Sequence, residues 1–470
     1  MKTAFKCLCV IMALCLITGC IHINFIPVDN PSSTDDMPAL AVTEPESEPS
    51  ASEASEDEAS SSYDKVLLIP SDSESEDDKE ELWPGYNAEL HYTEASDLLD
   101  DDQLDLLYRN FDAHYEAMST LESIDLSADY AARDLNETAS MLIDQFTLDL
   151  TCEIRALRDI DLSLDDFYYG IKIESVKETD GIYEIYLLEN CELYFAAMDG
   201  RPSYASGIEH TFVIEEIDGE WLILTHDRVE DLYIRITEQY EARAKENPPT
   251  DEFSLYDIFF EIYDEAITTA EEDEELRMKM RDEYLDGDAD YGDSIKYVKE
   301  YDRDAAVLYS YQWVDELEVI RDPYWMEFDG NCQNFASQCL YAGGISEDWS
   351  GTAQWKCFGS EVNLLNKPYG RSASWAGVDM FYQYCVYNTQ GGPATLADAN
   401  LYTAEPGDIL QYAAFGTWVH TVVVSDIIYD EYGDAADMLI NSNTTERIDF
   451  PASAYAYSTM RLIRILGDNG

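Results

Sequence analysis

Hydrophobic positions change their spacing several times along this chain. From about Ile26 to Leu82 apolar residues are sparse among Ser, Glu, Asp, Ala and Pro. Leu104, Leu107, Tyr108, Phe111 and Tyr115 then recur at intervals of three and four, and Leu142, Phe146 and Leu150 repeat the theme, which predicts amphipathic helices. The period next shortens. Phe167–Val176, Ile182–Phe195, Tyr204–Ile217 and Glu220–Val229 are rich in Tyr, Ile, Val and Phe, and Asp180-Gly181, Asp199-Gly200 and Asp218-Gly219 separate them. Asp-Gly between such runs is a strong hairpin signal, so an antiparallel meander is expected. Helical stretches at Leu255–Ala270 and Glu274–Tyr284 follow, and another helix opens near Tyr301 and runs through Trp313.

In the last third, Phe335, Ala336, Cys339 and Leu340 lie at helical spacing behind the turn-forming pair Gly330-Asn331, with Gly343-Gly344 as a stop. Strands are expected at Ile409–Tyr412, from His420 to about Ile428 and at Met438–Asn443, the last two joined by a hairpin through Gly433. Pro406-Gly407-Asp408 reads as the tight turn that launches the first of them.

Composition adds the setting. Lys2 and Lys6 precede an apolar run from Cys7 to Ile17, too short to be retained as a membrane-spanning helix, so residues 1–19 read as a signal peptide. Residues 20–82, with Lys65 and Lys79 as the only basic residues from Ile26 onward, cannot bury enough apolar surface to fold and read as a disordered acidic spacer. The formal net charge of −70 excludes a nucleic-acid partner, which would need cations against phosphate. No CxxC pair is present, which weakens zinc and thioredoxin-type readings, and the sequence leaves open whether Cys152 pairs with Cys191. The resulting domain plan is a first folded domain at 83–245, a helical connector at 246–299 and a second domain at 300–470.

Candidate chemistry concentrates in that second domain. Cys332 falls on the first turn of its helix, where the helix dipole favours a thiolate. A cysteine nucleophile also needs a base, and after His226 the chain holds one histidine, His420, 88 residues downstream of Cys332. Folding the hairpin about Tyr432 is expected to bring Asn443 across from His420 to orient its ring, with Asn441 in reserve; both asparagines equally suit a strand end. Trp418 is a cleft candidate beside His420, whereas His210 and His226 read as core or rim residues of the first domain.

Several motifs carry resemblances. Ile17-Thr18-Gly19-Cys20 resembles the bacterial lipobox, which implies that Cys20 is lipidated and anchors the chain to a membrane. Helices followed by a long meander resemble the cone-shaped α+β fold of the SnoaL-like class, in architecture alone. Tyr301-Asp302-Arg303, Asp322-Pro323-Tyr324, Gly330-Asn331-Cys332-Gln333-Asn334-Phe335-Ala336-Ser337-Gln338, Ser374-Trp375, Pro406-Gly407-Asp408 and His420-Thr421-Val422-Val423-Val424 resemble the bacterial putative amidase domain family, of the papain-like group that includes NlpC-type and CHAP-type hydrolases. One departure is Asn331, where that family more often has aspartate.

The resemblance implies an α+β chain with a C-terminal papain-like domain. It implies a cell-surface cysteine amidohydrolase with Cys332 as nucleophile, His420 as base and Asn443 as orienting residue, acting on peptidoglycan or another peptide, with no cofactor or metal. The alternative from another class is a catalytically inactive binding lipoprotein. Neither the bond cut nor the oligomeric state is legible.

Overall fold

The computed structural model describes residues 97–250, 254–315, 319–328, 330–350, 353–357, 371–388 and 390–470, all within one compact unit, Pro84–Gly470. The expectations for the signal peptide, Cys20 and the acidic spacer lie outside these residues.

Two helices open the described chain, α1 (Asp101–Thr120) and α2 (Leu135–Ala156). Asp100 begins α1 with a capping box to Gln103, and Asp134 caps α2, so both starts satisfy the backbone N–H groups that a helix leaves free. The meander follows as β1 (Leu164–Thr179), β2 (Ile182–Phe195), β3 (Ser203–Ile217) and β4 (Glu220–Arg228). Asp180-Gly181 and Asp218-Gly219 are two-residue turns with positive φ at both positions (57° and 83°, 55° and 91°), the conformation for which Asp-Gly is suited. The Asp199-Gly200 connection is longer, preceded by a single 3₁₀ turn at Ala196–Met198.

Helix α3 (Asp231–Glu246) and a continuous 31-residue helix, α4 (Leu255–Leu285), come next. The pattern suggests a break in α4 near Glu271, but the polar stretch there holds neither Gly nor Pro and the helix runs through it. The last third contributes α5 (Arg303–Gln312), α6 (Cys332–Ala342), α7 (Val378–Tyr387) and strands β5 (Pro393–Ala399), β6 (Ile409–Ala414), β7 (Thr417–Tyr429), β8 (Ala435–Asn443), β9 (Glu446–Pro451) and β10 (Thr459–Asp468).

The ten strands form one antiparallel sheet, ordered β1-β2-β3-β9-β8-β7-β6-β10-β5, with β4 also paired to β3. The stretches read as two domains thus share a sheet. The junction lies within β3, whose early residues pair with β9 (Tyr204 with Ile448, Ser206 with Glu446) and whose later residues pair with β4 from His210 onward. Gly207 separates the two halves at φ +67°, and a Cβ there would lie 2.5 Å from Val319 Cγ2. A left-handed residue without a side chain lets one strand serve two partners along the same edge.

The sheet is covered on both faces. On one, Leu410, Tyr412, Val422, Val424 and Ile440 share a core with α1–α4; on the other, Ile409, Val423, Ile463 and Ile465 pack with Phe335, Ala336, Cys339 and Leu340 of α6 and with α7. Buried arginines pin the first face. Arg158 pairs with Asp273 (3.2 Å) and Glu274 (3.0 Å) of α4 and donates to Tyr457 O, while Arg155 donates to Ala454 O at 2.9 Å. Asp408, in the turn before β6, is also more than a turn residue. It is fully buried, takes Arg303 Nη1 at 2.8 Å and accepts from the Ile465 N–H at 2.8 Å, joining α5, β6 and β10. Among the described residues no helix is long and apolar enough to cross a membrane.

Candidate active site

Helix α6 begins at Cys332, as its apolar spacing predicts, and ends at Gly343, with Gly344 left-handed at φ +86°. Cys332 is 7 % exposed. The expected depression of its thiol by the helix start does not prevail. Burial pushes it up to about 11, against opposing hydrogen bonds from the Thr421 and Gln333 backbone. The thiol therefore rests neutral against β7, at Thr421. Cys152 and Cys191, both buried, form no disulfide with each other.

Asn331 occupies the N-cap position of α6 but makes no capping bond. Its side chain turns to the sheet instead. Nδ2 donates to Asn443 Oδ1 at 2.8 Å and Oδ1 accepts from Asn334 Nδ2 at 2.8 Å, while Trp375 Nε1 holds Asn334 Oδ1 from the far side at 2.8 Å. An aspartate at 331 would set two acceptors against each other at the Asn443 contact as drawn, so the asparagine suits this pairing.

His420 lies elsewhere than expected. In the β6–β7 ladder it stands opposite Tyr412, and Thr421 stands opposite Gln411. Side chains alternate along a strand, so His420 and Thr421 point to opposite faces. Thr421 and Gln411 face α6: Thr421 Oγ1 donates to Gln333 Oε1 at 3.0 Å, and Gln411 Nε2 donates to the same oxygen at 3.1 Å. His420 faces the other core, 1 % exposed, with ring centroids 5.2 Å from Tyr455, 6.1 Å from Tyr457 and 6.2 Å from Tyr412. Its Nε2 shares a hydrogen bond with Ser442 Oγ at 3.1 Å. Burial lowers its pKa; Arg447 and Arg235 act in the same direction, against the attraction of Asp231.

The physical reason is a bulge. The ladder steps from Tyr412–His420 to Ala413–Trp418, leaving Val419 as the extra residue. Trp418, opposite Ala413, thereby stays on the α6 face, where it and Tyr382 sandwich the Arg461 guanidinium at 3.8 and 3.5 Å. A plain alternation would have placed His420 on that face too.

The placing of Asn443 across from His420 is corrected by the same ladder. Val423 pairs with Asn441, so Asn441 and Asn443 share the α6 face with Thr421. Asn441 serves Ser310 Oγ (2.9 Å) and the Asp449 N–H (3.0 Å), and Asn443 serves Asn331. Ser442, the residue between them, meets His420. The structure thus brings Cys332 to Thr421 and, through Asn331, to Asn443, and sets His420 apart with Ser442 and three tyrosines. Sequence reasoning missed Gln333, Gln411, Arg461 and Ser442; the signal available for Gln411 was its place in a strand that also holds buried apolar residues.

Among the described residues no cluster of His, Cys, Asp or Glu is placed to hold a metal ion. Comparison with known proteins adds one finding. Residues 300–465 match the family model of a putative amidase domain. The matched segment contains α5, α6, α7 and nearly all of the six later strands, so the Cys332 and His420 positions both fall inside an amidase-like domain. No curated protein and no solved structure matches the chain.

Proposed function

We propose that the 300–470 region is a papain-like domain that hydrolyses amide bonds with Cys332 as nucleophile, on the outer face of a bacterial membrane to which Cys20 anchors the chain by lipid. The amidase match over residues 300–465 carries this reading. It is supported by a cysteine on the first turn of a helix packed on an antiparallel sheet, where the Cys332 backbone N–H has no intrahelical partner and would serve a developing oxyanion. Attack of Sγ on the carbonyl forms a tetrahedral adduct; the amine leaves with a proton and water later releases the acyl group. His420 is the base for these transfers once its ring reaches the α6 face, which a one-residue slip removing the bulge at Val419 would achieve. Asn443, already beside Asn331, would then lie on the same face as the imidazole.

The substrate is a peptide amide of the cell wall, either in the stem peptide or at its junction with the glycan. The 83–245 region is the cone-shaped, SnoaL-like part, and residues 20–82 act as the spacer from the membrane. A second reading, a non-catalytic binding protein, is favoured by the enclosure of His420 among Tyr412, Tyr455 and Tyr457.

Purified cell wall incubated with the full chain and with its Cys332→Ala form separates the two. Turbidity loss and amine release that vanish in the alanine form support hydrolysis, and product masses name the bond. No release from either form supports the binding protein.

A further inference from the structure

Outside the amidase-like segment, four buried titratable side chains form an unbroken hydrogen-bonded chain. Asp144 Oδ2 meets His226 Nδ1 at 3.1 Å, His226 Nε2 meets His210 Nδ1 at 2.9 Å, and His210 Nε2 meets Glu189 Oε2 at 3.0 Å. Each of these three contacts needs a proton between its heavy atoms. Two neutral imidazoles supply two, so the intact chain holds one more, in the His210–Glu189 contact. Both carboxylates have further partners: Tyr115 OH donates to Glu189 and Tyr130 OH to Asp144 (2.6 Å), while His114 Nε2 lies 3.2 Å from Asp144 and Arg228 pairs with it at 3.4 Å. That keeps them ionised. Burial alone would raise both, yet His210 and Tyr115 hold Glu189 below its usual range, and His114, His226 and Arg228 hold Asp144 well below.

The chain fastens several elements at once. The groups facing it are His114 and Tyr115 of α1, Tyr130 beyond it, Asp144 of α2, Glu189 and Cys191 of β2, His210 of β3, and His226 and Arg228 of β4. From α3 and its cap come Tyr233 and Glu230, the latter 3.9 Å from Arg228. Tyr233 OH donates to the His226 carbonyl, and the Arg228 guanidinium lies 5.2 Å over the Tyr233 ring. At the start of the same helix, Asp231 accepts from Tyr455 OH at 2.9 Å, and Tyr455 is one of the rings around His420.

We propose that the Glu189–His210–His226–Asp144 chain is a proton-linked latch that clamps α3 to the sheet while it holds three protons and releases α3 when a fourth enters at His226. The fourth proton has a defined seat. It goes to His226 Nε2, where it meets the His210 Nδ1–H across 2.9 Å and turns a hydrogen bond into a clash of two donors. Burial lowers the His226 value to about 4, against the pull of Asp144. The folded value lies below the unfolded one, so the stabilisation is present above about pH 6.5 and is lost as pH falls toward 4. Glu189 and Asp144, both lowered, lose stabilisation in the same direction, whereas burial raises Asp227 of β4, which faces Tyr233 of α3, so its contribution runs the other way. Release of α3 would also withdraw the Asp231 brace from Tyr455 and free the His420 ring. That last consequence rests on the amide-hydrolase reading; the latch does not.

The test is hydrogen exchange of the α3 amides in the full chain between about pH 7.4 and 4.5, corrected for intrinsic exchange, in wild type and His226→Gln. Opening of α3 in wild type is expected to rise on the order of 50-fold from the His226 shift to about 4, with a smaller change in the glutamine form. Imidazole ¹⁵N spectra of the wild type, which need no variant to fold, should show His226 with its proton on Nδ1 at neutral pH and a second proton arriving near pH 4 as α3 opens. Exchange that stays flat with pH, equal pH dependence in both forms, or a His226 that titrates without any change in α3 would overturn the proposal. None of these readouts depends on amide cleavage, so failure of the latch and failure of the hydrolase are separable.

Discussion

Reactivity of the Cys332 thiol with iodoacetamide discriminates most sharply between the resting arrangement described above and a preformed thiolate–imidazolium pair. Burial carries Cys332 from an ordinary 9.0 to about 11, which lowers the thiolate fraction at neutral pH by about a hundredfold, or about 3 kcal/mol. Restricted access slows the reaction further. His420 faces away from the thiol, so its removal should leave the rate unchanged. The assay is alkylation of the full chain over a range of pH, with the Cys332 peptide quantified by mass spectrometry and the urea-denatured chain as reference. The expected result is native labelling at neutral pH at least about a hundredfold slower than in the denatured chain, still rising above about pH 9, and equal in His420→Ala. The same shift has a stability counterpart. A folded value above the unfolded one stabilises below about pH 9 and loses that contribution as pH rises through about 11. Labelling that levels off near pH 7 and collapses in His420→Ala would refute the reasoning, because it would require the imidazole to share the face of the thiol.

Further outcomes follow from individual contacts. Asn331→Ala strands the Asn443 and Asn334 carboxamides in a buried site and should cost about 1–3 kcal/mol in urea denaturation. Gly207→Ala combines a left-handed backbone with a Cβ 2.5 Å from Val319, and should cost about 2 kcal/mol or more. Gly219→Ala, at φ +91° with open space around it, should cost less; comparison of the two midpoints separates packing from backbone strain. A fragment from Pro248 to Gly470 lacks the β3 partner of β9 and the Arg155 and Arg158 contacts to residues 454 and 457. It is expected to associate or aggregate on size-exclusion chromatography under conditions where the 84–470 chain elutes as a discrete species.

Much of the local structure was legible because it depends on neighbours in sequence. The Asp-Gly turns of the meander, the amphipathic α1 and α2, and the placement of Cys332 on the first turn of α6 all follow from side-chain period, turn chemistry and glycine stops. Strands β5, β9 and β10 were not read. β5 is Pro-Ala-Thr-Leu-Ala-Asp-Ala, small and weakly patterned, and β9 contains Asp449 at φ +47°, so neither shows a clean alternation. β5 is stabilised by β10, distant in the chain, and β9 by the distant β3 as well as by its neighbour β8.

What the sequence by itself determined is therefore most of the helices and the meander strands, the acidic composition, and the identity of a cysteine with one downstream histidine. Tertiary structure decided which side of the sheet each residue serves. A strand has period two, so a single extra residue at Val419 exchanges the faces of His420 and Thr421, and no local signal announces it. The fusion of the two strand sets at Gly207 and the gathering of Asp144, Glu189, His210 and His226 from four elements are decided in the same way. The fusion depends on the pairing of β3 with β9, far apart in the chain, and the gathering on the packing of α2 against three neighbouring strands, neither of which hydrophobic spacing within one element encodes.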